Sequence, residues 1–277
     1  MIPARFDYEV AESTEHALEL LGSREDAKLL AGGHSLIPAM KLRIARPELL
    51  VDIGRVSSLA YVRDAGESIA IGALTRHRTL ETDPLLQEHC PIVSHTAGLI
   101  GDPQVRHRGT IGGSLAHGDP ASDLPAVMLA LEAELVIVGA GGERTVSAAE
   151  FFRGVFETAI GPGELLTEIR VPKLGGVGWS YVKFNRRAQD WATVAVAALV
   201  RRDNGGIGEA RIALTNMGAT PLRATAAEQA LVAGEADPAA HMADGAEPAS
   251  DVSASAEFRS HLARVMGKRA IEEALSR

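Results

Sequence analysis

Two short segments restrict the architecture more than any other part of the chain. In the first, Leu29-Leu30-Ala31-Gly32-Gly33-His34-Ser35-Leu36-Ile37-Pro38, a short apolar run enters paired glycines and then a hydroxyl residue. In the second, Gly109-Thr110-Ile111-Gly112-Gly113-Ser114, a glycine pair is again flanked by hydroxyl residues. Glycine has no Cβ, so successive backbone N–H groups at such a turn can converge on one anion. A single Gly-Gly-x-Ser is most simply a plain turn. Two of them, each in its own folding unit, are expected to face each other.

The remaining pattern supplies those units. Phe6, Tyr8 and Val10 alternate as a strand. Ser13 or Thr14 caps a helix with Ala17, Leu18, Leu20 and Leu21 on one face and Gly22 as its stop. Lys28–Ala31 and Leu49–Ile53 read as strands, closing a first domain over 1–55. Ile69–Ile71, Leu135–Val138 and Leu166–Val171 read as strands, with helices at Arg76–Leu80, Pro91–Ile100 and Leu124–Leu131, in a second domain over 56–172. Gly101 to Pro120 is expected to be irregular. Gly175, Gly176 and Gly178 mark a linker. A third domain, 178–277, should carry a three-stranded antiparallel meander (Trp179–Arg186, Thr193–Arg201, Ile207–Thr215) turned at Asn204-Gly205-Gly206, then helices at Arg223–Ala233 and Ala256–Ser276. Gly234 to Ser255, rich in Ala, Asp, Pro and Ser, is expected to be a mobile surface connection. The fold class is therefore α+β.

Composition narrows the chemistry. The chain has 277 residues, 46% of them hydrophobic, which suffices for a sizeable core or several smaller ones. Its net charge is −8 with no long basic run, which argues against nucleic acid as a partner. No apolar stretch approaches the roughly 20 residues of a membrane span. The acidic N-terminus lacks the apolar core of a signal peptide, so a cytoplasmic location is expected. One cysteine, Cys90, cannot hold an iron–sulfur cluster, which needs about four thiolates, and reads as a small buried hydrophobe. The histidines are scattered without zinc-site spacing. Any redox chemistry must then come from an organic cofactor.

Two glycine turns on adjacent domains would clamp a diphosphate between them, which points to FAD or a similar dinucleotide at a domain interface. Asp123, close behind the second turn, is suited to accept from sugar hydroxyls. Leu135–Val138 followed by Gly139-Ala140-Gly141-Gly142 mimics a Rossmann turn. It fails that pattern, because Arg144 stands at the third glycine position and Arg144-Thr145-Val146 reads as a returning strand.

At these residues the chain resembles the flavoprotein subunits of the molybdenum hydroxylases, the xanthine dehydrogenase and carbon monoxide dehydrogenase group. Their FAD-binding fold is of the vanillyl alcohol oxidase type, with two subdomains and a C-terminal domain. The likeness runs through Phe6-Asp7-Tyr8, Ala31–Pro38, Asp102-Pro103-Gln104-Val105-Arg106, Gly109–Pro125, Pro162–Leu166 and Leu214-Thr215-Asn216. It implies that Leu29, Leu30, Ala31, Gly32, Gly33, His34, Ser35 and Leu36, with Thr110, Ile111, Gly112, Gly113 and Ser114, bind the FAD diphosphate. His34 reads equally as a loop filler. Asp123 corresponds to an acidic cofactor contact, and Lys183 to a lysine near the flavin. Ile100 corresponds to an apolar position beside the adenine and Ile160 to one beside the flavin ring, although plain core packing suits both. Trp191 stands where relatives place a tyrosine over the ring. The resemblance further implies non-covalent FAD, and a partner subunit with two [2Fe-2S] clusters. It also implies a molybdopterin-bearing large subunit, in a dimer of heterotrimers. A free-standing flavin oxidase or reductase of the same fold, or a non-catalytic nucleotide-binding module, are the alternatives.

Overall fold

The computed structural model describes residues 1–277 and contains three principal sheets in succession along the chain. The first is parallel, ordered β1 (Asp7–Val10), β3 (Leu49–Asp52), β2 (Lys28–Leu30). Parallel neighbours need crossovers, supplied by α1 (Thr14–Gly22) and α2 (Leu36–Lys41). Ser13 caps α1, its Oγ accepting from His16 N at 3.1 Å. Ala17 of α1 packs with Leu49, Val51 and Ile53 in a small core of its own.

The second sheet is antiparallel: β4 (Val62–Asp64), β5 (Ser68–Gly72), β10 (Leu165–Pro172), β6 (Glu134–Gly139) and β7 (Gly142–Ser147). The β6–β7 hairpin closes at Gly139 opposite Gly142, so the Rossmann-like glycines are a turn, as their spacing indicates. Between β5 and β6 run α3 (His77–Thr82), α4 (Pro84–His89), α5 (Pro91–Gly98), α6 (Pro103–Arg108), α7 (Ile111–His117) and α8 (Asp123–Ala130). The stretch expected to be irregular thus holds two helices. Asp102 caps α6, with Pro103 at its first position, and Thr110 caps α7. Between β7 and β10 lie α9 (Ala148–Phe151) and the small hairpin β8 (Phe152–Gly154) and β9 (Glu157–Thr158).

The third sheet is β11 (Val177–Phe184), β12 (Val194–Asp203), β13 (Gly206–Thr215) and β14 (Leu222–Arg223). It has four strands, not three, because Leu222–Arg223 pairs briefly with the end of β13. Gly178, expected in the linker, lies inside β11. Both faces of this sheet are buried, and β12 shows how. Ala195, Ala197 and Leu199 point into the core shared with α8, while Val194, Val196, Ala198 and Val200 point at α10 (Thr225–Val232) and α11 (Ala256–Ser276). The third unit is therefore packed onto the second through α8, every residue of which is buried. The Gly234–Ser255 connection is not loose. Met242 is fully buried against α11, and Arg259 donates to Ala249 O and Asp251 Oδ2, tying the segment down despite its polar composition.

Candidate functional site

β2 and α2 hold the first glycine turn between them. The carbonyls of Gly33 and Ser35 accept from Ile37 N and Ala39 N and so start α2. The backbone N–H groups of Gly32, Gly33, His34 and Ser35 have no acceptor within the protein. Gly33 reaches this arrangement at φ +77°, a region that side-chain-bearing residues rarely enter. A run of partly exposed, unpaired N–H donors is a cradle that fits a diphosphate.

The second turn is built differently. Ile111 N donates to Thr75 O, Gly112 N to Ala73 O, Gly113 N to Thr110 Oγ1 and Ser114 N to Thr110 O. Its N–H groups are already spent on α7 and on the β5–α3 connection, so the expectation of two equivalent nests is corrected to one. What its glycines supply is close approach. A Cβ on Gly112 would lie 2.7 Å from Ala73 O. A Cβ on Gly32 would lie 2.5 Å from Arg108 O and 2.8 Å from Gly109 Cα. The two turns thus meet at a seam, with Ala31 on one side and Gly113 on the other.

A third feature joins the units across α8. Asp123 begins that helix, 4% exposed, and accepts from Tyr181 OH at 2.7 Å and from Lys183 Nζ at 2.9 Å. Lys183 also donates to Leu99 O at 3.2 Å, beside Ile100. Burial pushes the Asp123 carboxyl above its ordinary value, with Lys183 and Tyr181 pulling it back down. Burial, reinforced by Asp123, holds the Tyr181 hydroxyl well above its ordinary value. Both Asp123 oxygens therefore already have protein donors, and the role seen directly is to bind the third unit to the second.

Ile100 and Ile160 are half-buried against the large core, consistent with packing. Trp191 is 55% exposed, after a turn closed by the Arg187–Asp190 ion pair. His34 is exposed on the first turn.

His77, which no motif singles out, lies under the seam. It is almost fully buried, and its backbone N–H donates to Gly109 O at 3.0 Å. Burial pushes its imidazole down to about 4, with His34, Arg106 and Arg76 adding to the effect. The unfolded chain takes up this proton near 6.5, the ordinary value. The associated stability is complete above that pH and is lost as pH falls toward 4, by at most about 1.4 kcal/mol per unit. Urea unfolding between neutral and mildly acid pH should show a steeper loss for the wild type than for His77→Gln; equal slopes would contradict it.

A family model described as the FAD binding domain in molybdopterin dehydrogenase matches residues 4–174. The chain belongs to this family. A second, described as the CO dehydrogenase flavoprotein C-terminal domain, matches residues 179–274. The flavoprotein is 44% identical to the carbon monoxide dehydrogenase medium chain of Hydrogenophaga pseudoflava, covering 100% of this chain and 99% of the relative. It is 43% identical to subunit alpha of the 6-hydroxypseudooxynicotine dehydrogenase complex of Paenarthrobacter nicotinovorans, covering 100% and 97%. A solved structure of the H. pseudoflava carbon monoxide dehydrogenase, lacking the Mo-pyranopterin moiety of its molybdenum cofactor, superimposes with a TM-score of 0.97 at 45% identity, covering 100% and 99% of the two chains. The α+β architecture, the FAD cofactor and the oxidoreductase class follow from this membership.

Proposed function

We propose that this flavoprotein is the electron-transfer subunit of a multisubunit molybdenum hydroxylase of the carbon monoxide dehydrogenase type. It would receive electrons from a [2Fe-2S] subunit and pass them to an external acceptor. A molybdopterin-bearing large subunit would complete a heterotrimer that pairs into a dimer. The observation that carries the reading is the seam, where unpaired backbone donors of one unit abut the second glycine turn of another. Division into units 1–55, 56–172 and 178–277 is supported by one principal sheet for each, the third beginning one residue earlier, at Val177.

Bound FAD supplies the redox chemistry. Gly32 to Ser35 would hold its diphosphate through backbone N–H groups, with Leu29–Ala31 and Leu36 shaping the turn. Thr110–Ser114 would close the opposite side. Lys183 would bring a cation to the flavin, stabilising negative charge on the reduced ring, and Asp123 would fix that lysine while keeping lone pairs for a sugar hydroxyl. Ile100 and Ile160 would supply apolar contacts and Trp191 an aromatic cover. Cys90, the one cysteine, is buried with its thiol pushed up to about 12, so an iron–sulfur relay has to lie on another chain. Near-equal identity to relatives named for carbon monoxide and for 6-hydroxypseudooxynicotine supports a substrate site on another chain as well.

The test is direct. Acid or heat should release intact FAD, and no covalent adduct should remain on the polypeptide. Carbon monoxide, aldehydes or N-heterocycles should not bleach the flavin of the isolated chain, whereas dithionite should. Adding the iron–sulfur and molybdenum subunits should restore bleaching by the substrate. Rapid bleaching without partners would favour the free-standing oxidase.

A further inference from the structure

The His77 imidazole makes no hydrogen bond to the protein although the residue is only 4% exposed, and Nδ1 is enclosed with no partner. A neutral imidazole carries one N–H and one bare nitrogen. Placing the proton on Nδ1 would bury a donor with nothing to accept it, the less favourable kind of orphan. The proton therefore belongs on Nε2. The Cδ2–Nε2 edge faces Gly109, since a Cβ there would lie 2.7 Å from Cδ2 and 3.0 Å from Nε2. Gly32, with its unpaired N–H, abuts Gly109 as well. The Nε2–H, which has no acceptor in the protein, thus sits at the seam between the two turns. Arg76, Arg106 and His34 act on its charge, Arg106 being itself paired to Glu81 at 3.0 Å, and the imidazole makes no contact with a carboxylate.

We propose that His77 belongs to the cofactor site, its Nε2–H completed by an oxygen of the FAD diphosphate, directly or through one ordered water. This rests on the first turn holding that diphosphate. A diphosphate oxygen supplies what Nε2–H lacks, a negatively charged acceptor.

The experiment uses the full chain labelled with 15N-histidine and stripped of flavin. FAD and ADP should each shift the His77 Nε2 signal and mark it as the protonated nitrogen, whereas riboflavin, which lacks the diphosphate, should not. His77→Leu should weaken FAD binding by roughly 10- to 100-fold and leave riboflavin binding unchanged. His77→Gln, which keeps a donor, should recover most of the loss. A His77 signal unmoved by FAD that is demonstrably bound would overturn the proposal. So would a leucine variant in which FAD and riboflavin weaken alike, the mark of a purely structural role. If the leucine variant does not fold, the wild-type spectra decide. Wild-type protein that binds no FAD would instead overturn the reading of the first turn.

Discussion

Gly33→Val should yield a folded chain that no longer holds FAD. Two effects add at this residue. Its φ of +77° is one a β-branched side chain adopts only under strain, about 1–2 kcal/mol or more. A Cβ would also stand 2.7 Å from Ile37 Cδ1, and valine adds two methyls beyond that. Ile37 is exposed and can move, so the fold should survive. The turn, however, has to re-form, and the Gly32–Ser35 N–H groups then lose their common direction. Charge-assisted hydrogen bonds are each worth about 1.5–3 kcal/mol, so misdirecting two of them weakens binding by over about 100-fold. The visible flavin absorbance of purified protein, with circular dichroism as the control for folding, checks this. Full flavin occupancy in a folded Gly33→Val chain would remove the first turn from the site. Gly113→Val should act differently, because the Gly113 N–H is already bound to Thr110. Its Cβ would press on Thr110 Oγ1 at 2.8 Å, weakening the cap of α7 by about 1 kcal/mol and disturbing the site only through that helix.

That contrast marks where the sequence stops being legible. Paired glycines followed by a hydroxyl announce a turn with free backbone, and both turns are where the pattern puts them. Whether the N–H groups stay free depends on what packs alongside. At the first turn nothing accepts them, whereas at the second the carbonyls of Ala73 and Thr75 do, and no local pattern encodes that. β5, β6, β7 and β10 of the second sheet and β11, β12 and β13 of the third were readable because alternation or continuous apolar runs mark half-buried and fully buried strands, whereas the short edge strands β4 and β14 carry too few residues to show a period. The helices α6 and α7 were not, although Asp102-Pro103 and Thr110 are proper start signals. Each helix is short, and the glycines around them suggest a loop. Polar composition hid the burial of Met242, and nothing local distinguishes His77 from the other scattered histidines. Asp123 and Lys183 were both singled out as site residues. Their mutual ion pair was not, since it joins α8 to β11 across a long stretch of chain.

That pair gives the second large expectation. Asp123→Ala should destabilise the protein by about 3–5 kcal/mol. The two side chains are only 4–5% exposed, so removing the carboxylate strands an ammonium inside the structure with Leu99 O as its remaining partner. Tyr181, also buried, loses the acceptor for its hydroxyl. Burying two charges is itself costly, and replacing both by apolar groups of similar size is often neutral. The double variant Asp123→Leu with Lys183→Met should therefore be markedly more stable than Asp123→Ala alone. Tyr181→Phe, which removes one hydrogen bond and leaves the pair in place, should cost no more than about 1.5 kcal/mol. Urea denaturation of the flavin-free chains measures all three. If Asp123→Ala fell within about 1 kcal/mol of wild type, the pair would not be a latch between the second and third units. Flavin loading of the double variant then separates the latch from the flavin contact proposed for Lys183: a stable chain that still binds FAD, but at a lower reduction potential, would have kept the fold and lost the cation proposed to favour the reduced, anionic ring.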